Sequence, residues 1–450
     1  MREIRLHNTL SGVVEPLNPR DPGRIGIYAC GPTVYSRIHI GNARPYVVFM
    51  LLKRFLDHEG YETTFASNVT DINDKIYVAA CEAGVPSDRL AAEMTRAYFD
   101  DTSRLGLGRP DAEPLATETV PQIVELIEAL IERGHAYESG GDVYFSVASY
   151  PRYGELSNRD PDQFDQGEDD NSLKRDARDF ALWKTRKDDE DTSWPSPWGD
   201  GRPGWHIECS AMSETILGVD FDIHGGGIDL VFPHHENECA QTYAGRGRPL
   251  ARIWMHNGMV RFGDEKMSKS LGNVWQLHEA LDEHPASTLI MFFVSGHYRA
   301  PIECTPATLA QAAANVGRLT ELVARLEPEA PLDPALDTAL GRFYDALADD
   351  FNSPAAMAAV FEWVRDANRR IDGGAAVGGR SALIEALGVL GLESVSEDGA
   401  SEADAEAREL LDRRQAARAA KDFDAADALR DALLARGWEI RDTADGPRLR

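Results

Sequence analysis

The sequence predicts an α/β fold: a parallel-sheet domain interrupted by an insertion, then an α-helical bundle and a small C-terminal module. Three observations carry this. A strand, glycine turn, helix, strand run opens the chain between residues 24 and 69. A loop-rich acidic stretch breaks the pattern at about 110–200, and from about 307 the texture becomes Ala-, Leu- and Arg-rich helix. The 450 residues are also too many for one core, which implies several domains.

Each element has its own signal. RIGIYAC at 24–30 alternates toward one apolar face and reads as a buried strand. Gly31-Pro32-Thr33 turns the chain. From Gly41 to His58, Val47, Val48, Met50, Leu51, Phe55 and Leu56 fall at helical spacing. Tyr61 to Val69 is the next strand, so a ligand belongs beyond the carboxyl end of the first strand, at Cys30 to Asn42. The insertion starts helical in VPQIVELIEALIERG and turns acidic in DPDQFDQGEDDN at 160–171. Val219–Ile223 and Ile253–Val260 resume the strands. Beyond 307, ATLAQAAANVGRLTELVARL and PALDTALGRFYDALADD read as antiparallel helices. GLESVSEDGASEADAE at 391–406 is a linker, followed by helix to Arg436 and a tail with strand character. The expected divisions are 1–306, 307–395 and 405–450.

Composition excludes several classes of function. Lys plus Arg is 47 against 75 Asp plus Glu, a net charge of −28. That argues against a nonspecific nucleic-acid binder held by a broadly basic surface, while leaving room for a local basic face. Only eight of the basic residues are lysine, and the acidity reads as solubility or as adaptation to a salty cytoplasm. Five scattered cysteines make no disulfide framework and fit a reducing compartment. No run of about 18 apolar residues occurs, and MREIRLHNTL lacks an apolar leader segment, so a soluble, unexported protein is expected.

Three clusters carry chemistry. Cys30, Cys209, His234, His235, Glu236 and Glu238 combine thiol, imidazole and carboxylate, the donor types zinc takes. His234 and Glu238 stand i, i+4 on an expected helix after Pro233, so both project from one face. The ligands are far apart in sequence, and a buried structural cluster fits the same spacing. In the second cluster, His39 and Asn42 flank Ile40-Gly41 where the first helix begins, and a phosphate there would meet free N–H groups. A loop histidine with an N-capping asparagine is the plainer alternative. The third is Lys266-Met267-Ser268-Lys269-Ser270, two lysines spaced to hold a polyphosphate, or else a solvated loop.

Together these segments resemble the class I aminoacyl-tRNA synthetases, and within them the cysteinyl-tRNA synthetase family. His39 to Asn42 looks like the family's first nucleotide signature and Lys266 to Ser270 its second. NVTDINDK at 68–75, GWHIECSAM at 204–212, DIHGGGIDLVFPHHENE at 222–238, DDFNSPAA at 349–356 and KDFDAADALRDAL at 421–433 look like the cysteine branch. The resemblance runs nearly end to end. It implies a Rossmann-like catalytic domain, one zinc per chain on Cys30, Cys209, His234 and Glu238, and Mg2+ accompanying ATP. His39, Asn42, Lys266 and Lys269 are then catalytic, and with Gly41 and Asp229, which follows a Gly225–Gly227 turn that lets the nucleotide approach, they bind ATP. Gly31, Thr70 and Trp205 form the amino-acid pocket, although a core tryptophan is the plainer reading of Trp205.

The activity implied is ATP-dependent activation of L-cysteine and its transfer to the terminal adenosine of tRNA(Cys), in a cytoplasmic monomer. No editing domain is expected, because a metal contact that only the substrate thiol makes can discriminate on its own. The 405–450 module implies anticodon-side contacts, with Arg413, Arg414, Arg418, Lys421, Arg430, Arg436, Arg441, Arg448 and Arg450 as its basic residues. Two rivals stand beside it: a ligase joining cysteine to an amino sugar, which shares these motifs but needs no anticodon module, and a non-catalytic tRNA- or metal-binding paralogue, whose signatures should be eroded.

Overall fold

The computed structural model describes residues 2–159, 172–262, 265–266, 275–396, 402–419, 422–434, 440–443 and 446–449. The chain divides into two compact units, Met1–Glu393 and Ser394–Arg450.

In the first unit, a hairpin of β1 (Arg5–Asn8) and β2 (Val13–Pro16) precedes β3 (Arg24–Ala29), α1 (Ile40–His58) and β4 (Glu62–Ser67). Helices α2 (Asp74–Ala83), α3 (Ser87–Ser103) and α4 (Val120–Glu132) lead into β5 (Ala136–Ser139), β6 (Asp142–Phe145), β7 (Phe180–Thr185) and β8 (Gly201–Pro203). Then come α5 (Trp205–Leu217), β9 (Phe221–Gly227), α6 (Glu236–Arg246) and β10 (Ala251–Asn257). The short β11 (Val260–Phe262), β12 (Glu265–Lys266), α7 (Leu277–Glu283), α8 (Ala286–Val294) and β13 (Ile302–Glu303) follow.

The central sheet runs β10-β9-β3-β4 with every pair parallel; Ile27 stands between Phe65 on one side and Ile223 on the other. From β3 the chain passes through α1 to β4 on one flank, while β9 and β10 lie on the other. The order therefore reverses between β3 and β9, and a crevice opens outside their carboxyl ends. Ile25, Ile27, Phe65 and Ile223 are buried, as parallel strands covered on both faces require.

The insertion is more ordered than its loop-rich sequence suggests. Strands β5 to β8 form a four-stranded antiparallel sheet, and α4 packs its Ile123, Leu126, Ile127 and Leu130 into the same apolar cluster as Phe145, Phe180 and Trp183. Strands of three to six residues carry too few alternations to stand out in the sequence.

The helical region comprises α9 (Pro306–Arg325), α10 (Pro334–Ala348), α11 (Ser353–Asp372) and α12 (Arg380–Val389). Thr305, Asp333 and Asn352 cap the first three through their side chains. DDFNSPAA supplies the joint to the amino-terminal part. The Asp350 carboxylate accepts from His7 N–H (2.8 Å), the Tyr298 hydroxyl (2.8 Å) and the Arg299 guanidinium (2.8 Å), at a backbone φ of +59° that Asp tolerates.

The second unit contains α13 (Glu402–Ala419), α14 (Phe423–Leu434) and a hairpin of β14 (Ile440–Thr443) with β15 (Gly446–Leu449). Ala407, Leu411 and Leu433 form its small core. Arg430 pairs with Asp427 and Asp431, which matches a solvated helix face for that residue. Lys421, Arg436 and Arg450 lie outside the described residues, as do the side chains of Arg441 and Arg448.

Candidate active site and metal centre

The crevice at the switch point holds a cavity of about 320 Å³, lined among others by Cys30, Gly31, His39, Asn42, Trp205 and Asp229. Gly31 is forced by close approach: a Cβ there would stand 1.8 Å from the Asn68 carbonyl oxygen. Gly225 to Gly227, expected as a turn, are the last residues of β9. At Gly225 the Phe49 ring of α1 occupies the space a side chain would need.

His39 is the N-cap of α1 and Asn42 its partner, the reverse of the plainer sequence reading. Asn42 N–H donates to His39 Nδ1 at 3.2 Å, and His39 N–H donates to Asn42 Oδ1 at 3.3 Å. The three-residue spacing is thus a reciprocal capping box, which opens a 19-residue helix onto the cavity with its positive end forward. Lys266 is described through its backbone, which pairs with Arg261; its side chain and Lys269 lie outside the described residues.

The four expected ligands converge. Cys30 follows β3, Cys209 lies on α5, His234 in the turn before α6, and Glu238 on α6; all are buried. Their donor atoms lie within 4.8 Å of one another. His234 Nε2 is 3.1 Å from Glu238 Oε1, and Cys30 Sγ donates to that oxygen at 3.5 Å. A second quartet, Cys30, His224, His235 and Glu238, meets the same distance test. Each of its imidazoles has one nitrogen engaged, while His235 Nε2 stands 3.8 Å from Glu238 Oε1 without a hydrogen-bond partner. His224 Nε2 holds Glu238 Oε2 at 2.8 Å, and His235 Nδ1 meets His256 Nε2 at 2.7 Å. His224 thus orients the carboxylate, the usual task of a residue one layer out.

The donor chemistry fits a soft-to-borderline divalent cation. Burial first, then Cys209 and Glu238, push the Cys30 thiol well above its ordinary range. Cys209 is pulled down by its hydrogen bond to Cys30, yet burial and Glu238 leave it raised overall. Burial takes His234 down to about 3, so it is neutral and a competent ligand. Two thiols raised in this way stay protonated unless a cation bound among them stabilises the thiolates.

Trp205 stacks on His234, ring centroids 4.3 Å apart at 27°, so it forms wall rather than core. Thr70 sits one layer behind: its backbone pairs with Pro32 and Val34, and its hydroxyl accepts from Asn68. Two further residues carry no local signal of their place in the site. Arg44, buried in α1, donates to the carbonyls of Gly258 (2.6 Å), Met259 (3.1 Å) and His297 (3.1 Å), fixing the loop that floors the cavity. Glu208, beside Cys209, is buried with neither carboxyl oxygen hydrogen-bonded.

Comparison with known proteins decides the family. Residues 16–314 match the family described as tRNA synthetases class I (C) catalytic domain. The chain belongs to the class I (C) tRNA synthetase family. Residues 342–393 match the DALR domain. Cysteine–tRNA ligase of Halorhodospira halophila is 47% identical over 99% of both chains, and that of Alkalilimnicola ehrlichii 46% over 98% of both. Mycobacterium tuberculosis methionyl-tRNA synthetase in complex with methionyl-adenylate shares the fold at a TM-score of 0.62. It is 16% identical and covers 83% of this chain and 88% of its own. Among the described residues, no helix is long and apolar enough to cross a membrane.

Proposed function

We propose that this protein is a cysteine–tRNA ligase. It joins the carboxylate of L-cysteine to the α-phosphorus of ATP, releasing pyrophosphate. It then passes the cysteinyl group from the adenylate to the 3′-terminal adenosine of tRNA(Cys), releasing AMP. The observation carrying this reading is that the Cys30, Cys209, His234, Glu238 donor set adjoins the cavity that His39, Asn42 and Asp229 line.

In this reading those four residues hold one zinc, which when bound stabilises the substrate side chain as thiolate and leaves serine, whose hydroxyl does not ionise comparably, unmatched. Gly31 and Trp205 shape the amino-acid pocket, and Thr70 supports its wall from behind. The helix start at His39, Gly41 and Asn42 receives the ATP phosphates, with Mg2+ accompanying them. Lys266 and Lys269 neutralise charge growing on the transferring group and pyrophosphate. Asp229, just past β9, contacts the adenosine. Residues 1–306 form the catalytic domain, 307–395 the helical bundle and 405–450 the anticodon-side module. The protein acts in the cytoplasm as a monomer.

The test is aminoacylation with purified protein, radiolabelled cysteine, ATP and total tRNA, at low and at molar salt, beside tRNA-independent ATP–pyrophosphate exchange. Label in acid-precipitable tRNA that serine does not compete away supports the reading. Exchange without labelled tRNA at any salt would transfer it to the amino-sugar ligase, and absence of both activities would leave a binding paralogue.

A further inference from the structure

We propose that a second cavity, next to the first, seats the 3′-terminal nucleotide of the tRNA, with Glu208 as its buried polar anchor and Lys184 as its phosphate-side cation. This rests on the synthetase reading above and adds a site to it. The cavity measures about 260 Å³ and lies between residues 72–75 at the start of α2, the β7–β8 pair bearing Lys184 and Arg202, and the first turn of α5. It shares Thr33, Lys75 and Trp205 with the main cavity, so the two adjoin across those side chains.

Two features mark it as built for a ligand. Glu208, 1% exposed, lines it with both carboxyl oxygens unpartnered; the Thr70 hydroxyl stands beside it without reaching hydrogen-bond geometry. Buried polar atoms are rarely left so, and a donor from a ligand would satisfy this one. Three cations, Lys75, Lys184 and Arg202, also face the cavity in a chain of net charge −28 that has only eight lysines. Arg202 is held by Asp74 and Glu190, and Lys184 by Asp74, so the basic groups are set in place rather than left to wander.

A ligand matching this lining offers an N–H or O–H donor to Glu208, a flat face to Ile72, Pro203 and Trp205, and an anion to the lysines. A terminal nucleotide offers all three. Its position in the neighbouring cavity brings the ribose hydroxyls to the boundary that the two cavities share at Thr33, Lys75 and Trp205, where they would meet the activated carbonyl.

The experiment compares full-length protein with Lys184→Gln and Glu208→Gln in three readouts: cysteine-dependent ATP–pyrophosphate exchange, single-turnover transfer to intact tRNA, and competition by tRNA trimmed of its terminal adenosine. Each variant should lose transfer about tenfold or more beyond any loss in exchange, the scale of one base or phosphate contact. Wild type should bind intact tRNA better than trimmed tRNA, and the variants should bind both alike. Transfer falling only in step with exchange, or an undiminished preference for intact tRNA, would overturn the proposal. Lys184→Gln, at a partly exposed side chain, carries the test if Glu208→Gln does not fold. Absence of exchange in wild type would instead sink the synthetase reading beneath it.

Discussion

The backbone N–H of Ile40 donates to the carbonyl of Trp275 at 3.0 Å, and the N–H of Leu277 returns to the carbonyl of Ile38 at 3.0 Å. Trp275 to Leu277 are therefore stitched against the first turn of α1, with Gln276 paired to His39.

That geometry separates stability from chemistry at His39. As N-cap it satisfies one helix N–H, worth about 1 kcal/mol, whereas a donor aimed at developing charge is worth about 10²–10³ in rate. His39→Ala should lower the urea midpoint slightly and cut pyrophosphate exchange by about 100-fold or more. Loss of both in proportion would assign His39 to the fold alone.

Cys209→Ser tests the metal centre. Serine keeps the volume but removes a thiolate donor, and even outer-layer substitutions at such sites cost about 10–100-fold in metal affinity. Zinc content of the purified variant and its affinity for cysteine should fall together. Unchanged cysteine affinity would count against the assignment.

How far the sequence could be read follows from which forces are local. The β3–α1–β4 unit was legible because a period of two gives way to a period of 3.6 across Gly31, and the His39/Asn42 spacing is itself a local hydrogen-bonded device. The metal donors were legible only as types. What brings Cys30 beside His234 and Glu238 is the pairing of β3 with β9, a long-range choice that no spacing encodes. Gly225–Gly227 misled for a related reason: glycines that look like a turn end a strand, and what excludes their side chains comes from elsewhere in the fold, Phe49 at Gly225 and His235 at Gly226. Arg44 and Glu208 depend wholly on tertiary neighbours.

Arg44 links α1 to the cavity floor. Burial lowers its pKa to about 10, so it remains charged at neutral pH while giving three hydrogen bonds to carbonyls. Arg44→Leu removes the buried charge but orphans those carbonyls, a net loss of about 2–4 kcal/mol. Because the Gly258–Val260 loop lines the cavity, KM for ATP should rise as well. Urea unfolding and exchange kinetics at varied ATP check both, and a destabilised variant with unaltered KM would confine Arg44 to a structural role.

His256 gives the fold an acid-sensitive spot outside the ligand set. Its ring is 3% exposed, with Nδ1 2.7 Å from the Thr9 hydroxyl and Nε2 2.7 Å from His235 Nδ1. Burial first, then the neighbouring His224 and His7, lower its pKa to about 3. Groups facing it from other elements are those same histidines and Thr9, with no carboxylate among the contributors to offset the shift. In the unfolded chain a histidine titrates near 6.5. Below that pH the unfolded state takes up a proton that the folded state refuses, so stability falls as pH falls, down to about 3. The slope for one such group is about 1.4 kcal/mol per pH unit, or about 2 kcal/mol lost between pH 7 and pH 5. His256→Gln, which keeps a polar partner for Thr9 but cannot titrate, should lose correspondingly less over the same interval. Urea unfolding of wild type and variant at pH 7 and pH 5 measures the difference, and equal pH losses in the two would show that this ring is not the group that titrates.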